Sequence, residues 1–198
     1  MNSNKKSLYA YIGRFQTTHL GHVETLKYAV SKADKVVVLI GSANAEVNIK
    51  NPFTYEERAS VMTNILQRLV DEEFSKNHRH VVFDIKPLDD FNNDEIWTKE
   101  VYSLVHDDNY QITITGCHKT GDASTFYLDL FPEWKNDFIE EVNFPEVDVI
   151  SSTKIRHLFF NDKKIPSNLL PKETFEFLMN YKEQNKEAFN NFRLNASL

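Results

Sequence analysis

The chain has little of what marks several protein classes. Five glycines and six prolines among 198 residues argue against a collagen-like or disordered chain. A single cysteine, Cys117, excludes an internal disulfide, as is usual in a reducing compartment. No apolar run approaches the roughly 20 residues of a membrane-spanning helix, and the first residues lack a signal-peptide core. We therefore expect a cytoplasmic protein without a membrane partner.

Positive charge is also scarce. The 29 acidic residues outnumber the 23 basic ones, which gives a net charge of −6. Because nucleic-acid binding depends on cations that neutralise phosphates, this balance argues against a nucleic-acid-binding module. A small anionic substrate would need a local cationic site. What the chain does have is 41% hydrophobic residues, including fifteen Phe, which is enough for one compact core.

Short apolar segments alternate with segments of helical periodicity. Strands are predicted at residues 8–12, 35–40, 81–85, 111–115 and 147–150. Helices are predicted at residues 20–33, from a capping box at Thr54 and Glu57 to about residue 70, at 94–106 and at 172–192. Apolar strands between helices predict an α/β, Rossmann-like, doubly wound fold with a mostly parallel five- to six-stranded sheet and helices on both faces. Such sheets bind ligands at the carboxyl ends of their strands.

The segment GRFQTTHLGH, residues 13–22, joins the first predicted strand to the first predicted helix. Gly13 and Gly21 lack a Cβ, so backbone can approach a ligand closely. A helix N-terminus offers free N–H groups and a positive dipole end. His19 and His22 lie three residues apart, and Arg14 adds a guanidinium that matches phosphate. A histidine pair alone is more often structural, but the combination predicts a phosphate site.

A second segment, ISSTKIR at residues 150–156, has the same character. Ser152 or Thr153 could cap a helix and bond to phosphate oxygens, and Arg156 could stabilise charge on the same group. An ordinary capped helix with a surface arginine is the competing interpretation.

These segments resemble two signatures of the nucleotidyltransferase superfamily with the HIGH-type motif, G-x-F-x-P-x-H-x-G-H and I-S-S-T-x-I-R; Thr17 stands where the family usually has proline. Three more blocks resemble those of nicotinamide mononucleotide (NMN) adenylyltransferases of the archaeal and bifunctional bacterial type. They are NPFTYEER at 51–58, DDFNNDEIW at 89–97 and GCHKTGDASTFYLDLFPEW at 116–134, which carries two extra residues around Thr120. Asp94 stands where a family asparagine reads the carboxamide, beside Asn93.

The resemblance implies that the NMN phosphate attacks the α-phosphorus of ATP to give NAD and pyrophosphate, with Mg²⁺ carried by ATP and no dedicated protein metal site. The residues implied for catalysis are His19, His22, Arg14 and Arg156. Those implied for ATP binding are Gly13, Arg14, Phe15, His19, Gly21, His22, Gly116, Ser152, Thr153 and Arg156, and Lys119 could touch phosphate. Those implied for NMN binding are Trp97, Asn93, Asp94, Arg58 and Phe15. For Trp97 a plain core position, and for Arg58 an exposed helix position paired with Glu, are the alternatives.

Residues 1–180 are expected to form the nucleotidyltransferase domain, and 181–198 a helix end and tail that frays from Asn185. The signature of the Nudix domain that follows in bifunctional relatives is absent. The resemblance also implies a homo-oligomer. Rival hypotheses are a pantetheine-phosphate adenylyltransferase, a cytidylyltransferase for a phosphorylated alcohol, and a non-catalytic nucleotide sensor.

Overall fold

The computed structural model describes residues 5–118, 130–140 and 150–195, and these form five strands and six helices. The strands are β1 (Lys6–Gly13), β2 (Lys35–Ile40), β3 (Val82–Pro87), β4 (Tyr110–His118) and β5 (Lys135–Glu140). The helices are α1 (Leu20–Lys32), α2 (Tyr55–Asn77), α3 (Asp94–Val105), α4 (Ser152–Phe160), α5 (Lys172–Gln184) and α6 (Lys186–Asn195).

The five strands form one parallel sheet in the order β3-β2-β1-β4-β5. β2 and β3 are added in turn on one side of β1, after which the chain crosses over and β4 and β5 are added on the other side. The carboxyl ends of β1 and β4 therefore border the switch point, where open α/β sheets bind ligands. The predicted fold class is confirmed.

Alternating side chains of β1 lie on opposite faces of the sheet. Tyr9 and Tyr11 pack in a cluster with α1 and α2, whereas Leu8, Ala10 and Ile12 pack with α3. A third cluster joins α4, α5 and α6 around Phe53 and Ile150. The layers thus have helices on both faces, and α4 is held beside the carboxyl end of β1.

The fifth strand lies where the sequence did not predict one. β5 reads KNDFIE, an edge strand with a polar pattern that periodicity does not detect. Of the predicted strand at 147–150, residues 147–149 lie outside the described residues, and Ile150 is buried but not in a strand.

The C-terminal helix is two helices, because Asn185 ends α5 with non-helical dihedral angles. The expectation that the chain frays from Asn185 is wrong as far as residue 195, since Phe189 and Phe192 of α6 are buried in the third cluster. The packed body therefore extends past residue 180. Across the described ranges, no helix has the length and apolarity needed to cross a bilayer.

Candidate active site

The loop between β1 and α1 begins at the switch point and turns sharply at Phe15, whose φ is 50°. The Phe15 ring is 3% exposed and packs edge-on against Tyr11 and His22. It also folds over Gly13, where an added Cβ would lie 2.8 Å from Phe15 Cζ. Gly13 is therefore needed to make room for this ring, and the contacts of Phe15 with ATP and NMN stay predictions.

The two histidines lie together at the start of α1. Their rings stack with centroids 3.7 Å apart, and His19 is 2% exposed whereas His22 is half-buried. His22 Nδ1 accepts a hydrogen bond from the His19 backbone N–H at 3.2 Å. Because Nδ1 is an acceptor, the neutral His22 ring carries its proton on Nε2. The N–H donor of the neutral His22 ring is therefore Nε2.

Gly21 leaves room for the His19 ring of this pair. A Cβ at Gly21 would lie 3.1 Å from the His19 ring and 3.3 Å from Ile150 Cγ2. As at Gly13, the missing side chain makes room for a neighbouring ring, which is a different role from the close backbone approach to a ligand that the sequence suggested.

Hydrogen bonds from distant segments hold the loop. The Gln16 side chain donates to the Phe53 carbonyl at 3.1 Å and accepts from the Phe53 N–H at 3.2 Å. Thr17 and Ser152 bond reciprocally: Ser152 Oγ donates to the Thr17 carbonyl at 2.8 Å, and Thr17 Oγ1 donates to the Ser152 carbonyl at 3.4 Å. Thr17 thus ties the loop to α4, which supplies rigidity at the position where the family has proline.

The start of α4 differs from the prediction at its cap. Ser151, and not Ser152 or Thr153, is the N-cap, and its side chain accepts from the Lys154 N–H at 3.2 Å. Ser152 is the first helical residue, and its hydroxyl hydrogen is used by Thr17. Thr153 is exposed, and its hydroxyl oxygen accepts from Arg156.

Two arginines flank the loop. Arg156 Nη1 donates to the Gln16 carbonyl at 3.1 Å, and Nη2 donates to Thr153 Oγ1 at 3.3 Å. Burial lowers the pKa of Arg156, and the positive charge of Arg14 lowers it further. Arg14 is exposed, with its Cγ resting 3.7 Å from the Cβ position of Gly41. A bound anion would relieve the repulsion between these two cations, so the pair suits phosphate.

Arg58 lies directly beneath the same loop. It is only 4% exposed, so the alternative of an exposed helix arginine is wrong. Burial lowers its pKa to about 10. Its guanidinium donates to backbone carbonyls of both the β1–α1 and the β2–α2 loops, which the sequence did not predict. Its contact with NMN stays a prediction.

The predicted nicotinamide residues lie at the start of α3, in a more open setting. Asn93 is the N-cap, and its Oδ1 accepts from the Ile96 N–H at 3.0 Å. Asp94 is the first helical residue, and both it and Asn93 are exposed. The Trp97 ring is half-buried and packs at 6.2 Å between centroids against Phe131. Trp97 is therefore partly a core residue.

The block at 116–134 is described only at its ends. Gly116 lies near the carboxyl end of β4, where an added Cβ would meet the Phe138 ring at 2.9 Å. Packing against β5 thus accounts for this glycine, and its ATP contact stays a prediction. Lys119 and the extra residues around Thr120 lie outside the described residues.

Sequence reasoning missed a polar cluster below the site. Tyr9 Oη donates to Asp137 at 2.7 Å, and Tyr28 Oη donates to the same carboxylate at 2.9 Å. Asp137 lies on β5, so this cluster ties the unpredicted edge strand to β1 and α1. Gln16 was missed too, because it occupies a variable position of its signature.

No group of three or more His, Cys, Asp or Glu side chains that could hold a metal ion occurs among the residues that the structure describes.

Comparison with known proteins shows the family of the chain. Residues 10–158 match the family described as cytidylyltransferase-like. A nicotinamide/nicotinic acid mononucleotide adenylyltransferase of Acinetobacter baylyi is 31% identical over 176 residues, which cover 87% of this chain and 85% of that protein. The chain belongs to the nicotinamide-nucleotide adenylyltransferase family. A member from Thermococcus kodakarensis is 30% identical over 172 residues, covering 87% of this chain and 82% of that one. The family predicted from the sequence motifs is confirmed.

Solved structures of a bifunctional NMN adenylyltransferase/ADP ribose pyrophosphatase from Francisella tularensis are also similar. One has a TM-score of 0.71 and 26% identity, and the match covers 96% of this chain and 53% of that one. This family member thus spans about half the length of the bifunctional protein. A second structure, at 24% identity, is complexed with AMP and a manganese ion, and it supports the fold alone.

Proposed function

We propose that this family member transfers the AMP part of ATP to NMN, which gives NAD and pyrophosphate. The observation that carries the proposal is the convergence of Arg14, Arg156 and the His19–His22 pair at the N-terminus of α1, beside the switch point. The names of the relatives support the same reaction.

The reaction is an in-line displacement at phosphorus. A phosphate oxygen of NMN attacks the α-phosphorus of ATP, the bond from that phosphorus to the oxygen bridging to the β-phosphate breaks, and pyrophosphate leaves with the electron pair. A phosphate monoester is already anionic near neutral pH, so no strong base is required. Catalysis then rests on positioning and charge stabilisation.

His22 is assigned to the α-phosphate. Its Nδ1 accepts from the His19 backbone N–H, which orients the ring and places the proton of the neutral ring on Nε2. This donor would bond to a non-bridging oxygen where charge develops. His19 is buried beneath His22, so its stacked ring is assigned to supporting that donor.

Arg14 and Arg156 are assigned to the β- and γ-phosphates, the leaving group. Arg156 is already oriented by Gln16 and Thr153. Thr153 Oγ1 accepts from Arg156, so its own hydrogen is free to be donated to phosphate, whereas the Ser152 hydrogen is engaged by Thr17. Ser152 thus contributes through the backbone N–H groups at the start of α4.

The nicotinamide ring is assigned to the start of α3. The face of Trp97 suits a cationic ring. Asn93 uses Oδ1 as a cap and keeps its Nδ2 donors for the carboxamide oxygen, while the Asp94 carboxylate could accept from the amide nitrogen. Magnesium enters as part of the Mg–ATP substrate, where it offsets phosphate charge.

The test is turnover of the purified protein with Mg–ATP and NMN, with NAD followed through alcohol dehydrogenase. A parallel reaction with nicotinic acid mononucleotide is assayed for pyrophosphate, and the ratio of rates reports the base preference. Binding of ATP without product from either acceptor would instead support another acceptor or a nucleotide sensor.

A further inference from the structure

We propose that Arg58 is a positioning residue, whose buried guanidinium fixes the turns that end β1 and β2 and thereby places Arg14 for the phosphates of ATP. This inference rests on the proposed function. It replaces the direct contact with NMN that the sequence suggested for Arg58.

The Arg58 guanidinium uses four of its five N–H donors on backbone carbonyls from three segments. Nε donates to the Thr54 carbonyl at 3.0 Å, which anchors Arg58 to the N-cap of its own helix. Nη1 donates to the carbonyls of Arg14 and Gly41, both at 2.7 Å, and Nη2 donates to the Ser42 carbonyl at 3.0 Å.

The bonded carbonyls belong to the peptide units that the turns must orient. Phe15 and Ser42 both have a φ of 50°, in the left-handed region that a residue with a side chain rarely adopts. The φ of Phe15 sets the plane of the peptide that carries the Arg14 carbonyl, and the φ of Ser42 does so for the Gly41 carbonyl. A single nitrogen, Nη1 of Arg58, donates to the carbonyls of both peptides and so fixes the orientation of both peptide planes. Each left-handed residue costs about 1 kcal/mol or more, and needs surrounding structure to impose it.

The same contacts set the position of the Arg14 side chain. Its backbone carbonyl is bonded to Arg58, and its Cγ lies over Gly41, whose carbonyl is bonded to the same nitrogen. Gly41 is also tied to the end of β1, since its N–H donates to the Gly13 carbonyl at 2.9 Å. A shift of either turn would therefore move Arg14 relative to Arg156.

Lysine cannot replace this group. A planar guanidinium presents donors in a fixed fork, whereas an ammonium has three donors around one point. Arg58→Lys would keep the charge but leave some of the four carbonyls, which are buried or partly buried, without a donor, and such unpaired acceptors are costly. The positioning role thus depends on shape as well as on charge.

The test compares Arg58→Ala, Arg58→Lys and Arg14→Ala with the wild type. We expect the dissociation constant of a non-hydrolysable ATP analogue, measured by calorimetry, to rise about tenfold in both Arg58 variants, and kcat to fall with it. The KM for NMN should change less than twofold. Low-millimolar guanidinium should restore part of the activity of Arg58→Ala, by filling the vacated cavity, but none of the activity of Arg14→Ala.

Arg68→Ala is the matched control. Arg68 lies on the same helix and pairs with Glu72 and Glu173, so its loss lowers stability while leaving the ATP dissociation constant unchanged. The proposal is overturned if the Arg58 variants bind the analogue as the wild type does, or if only the KM for NMN rises. If Arg58→Ala does not fold, the same measurements on Arg58→Lys test the proposal. A wild type that binds the analogue but makes no NAD would contradict the proposed function and leave the binding comparison intact.

Discussion

The two halves of the candidate site are built differently. The phosphate half comprises the β1–α1 loop, which is buried from Phe15 to His19, and the start of α4. Hydrogen bonds between segments distant in sequence hold it, among them those of Gln16, Arg58 and Arg156. The nicotinamide half, at the start of α3, has Asn93 and Asp94 exposed on a helix terminus. Phe91 and Ile96 beside them are 36% and 51% exposed.

The difference in burial between the two halves matches two tasks, which are charge stabilisation on phosphates and recognition of a ring. Stabilising charge on phosphates requires donors that are in place before the substrate arrives, because reorganisation during the reaction would cost part of the gain. Recognising a flat ring requires one aromatic face and a few polar contacts, which an exposed helix start can supply. Changes in the phosphate half should therefore lower kcat, and changes in the nicotinamide half should raise the KM for NMN.

The sharpest test of the phosphate half is His22→Ala. The substitution removes a preorganised donor, and one such donor is typically worth about 3 to 4 kcal/mol in the transition state, so kcat should fall about a hundredfold or more. Steady-state kinetics at saturating ATP and NMN measure it, and the unfolding midpoint checks that α1 persists. A near-normal kcat would remove His22 from the mechanism.

Trp97→Ala tests the nicotinamide half. Loss of the stacking face should raise the KM for NMN about tenfold, with the KM for ATP nearly unchanged. Part of the ring packs on Phe131, so a lower unfolding midpoint is also expected. Trp97→Phe keeps an aromatic face and should recover most of the NMN affinity. Equal rises in both KM values would mean that the two halves are not separable.

Asn93→Asp separates capping from recognition. An aspartate keeps the oxygen that accepts from the Ile96 N–H, so α3 should stay as stable as before. It loses the amide donors and adds negative charge near the carboxamide, so the KM for NMN should rise about threefold, which is roughly 0.7 kcal/mol. Asn93→Ala, which loses the cap as well, is the comparison. An unchanged KM in Asn93→Asp would limit this residue to capping.

The last test concerns protein stability and not kinetics, at the two tyrosines that donate to Asp137. Burial and the hydrogen bond to Asp137 raise the pKa of Tyr9 above the ordinary tyrosine value of 10.0. The hydrogen bond to Asp137 and burial, in that order, raise the pKa of Tyr28. The folded protein therefore holds these protons more tightly than the unfolded chain does. Their contribution to stability should be complete below about pH 10 and should decline as the pH rises above it.

Urea unfolding across this range measures the alkaline decline. Tyr9→Phe should be less stable than the wild type by about 1 to 2 kcal/mol near neutral pH, because it loses a hydrogen bond to a carboxylate. It should also show a shallower decline in alkali. The same slope in both proteins would show that Tyr9 does not titrate with folding.

Much of the fold was predictable because the central strands are continuous apolar runs and α2 has a complete capping box. β5 was not, because an edge strand with residues such as Asn136 needs few apolar positions, and its place depends on pairing with β4. The helix predicted at 172–192 is divided at Asn185, and the packing of α6 was not predicted because its few buried residues, Phe189 and Phe192, stand in a polar segment.

The site divides in the same way. The motifs predicted phosphate contacts from residue type alone, for Arg14, His19, His22 and Arg156. They did not reveal what holds these residues in place. The acceptors of Arg58 are backbone carbonyls, which no residue pattern specifies, and the glycines accommodate neighbouring rings that become visible only once the loop has folded.

The central claim is that the phosphate half directs attack to the α-phosphorus of ATP. The most direct measurement uses ATP radiolabelled at that atom, incubated with the protein, magnesium and NMN, with the products separated by chromatography. If NMN attacks the α-phosphorus, all transferred label appears in the dinucleotide and none in pyrophosphate. Label released as free AMP, or a reaction that leaves the α-phosphorus in ATP while NMN is consumed, would contradict it.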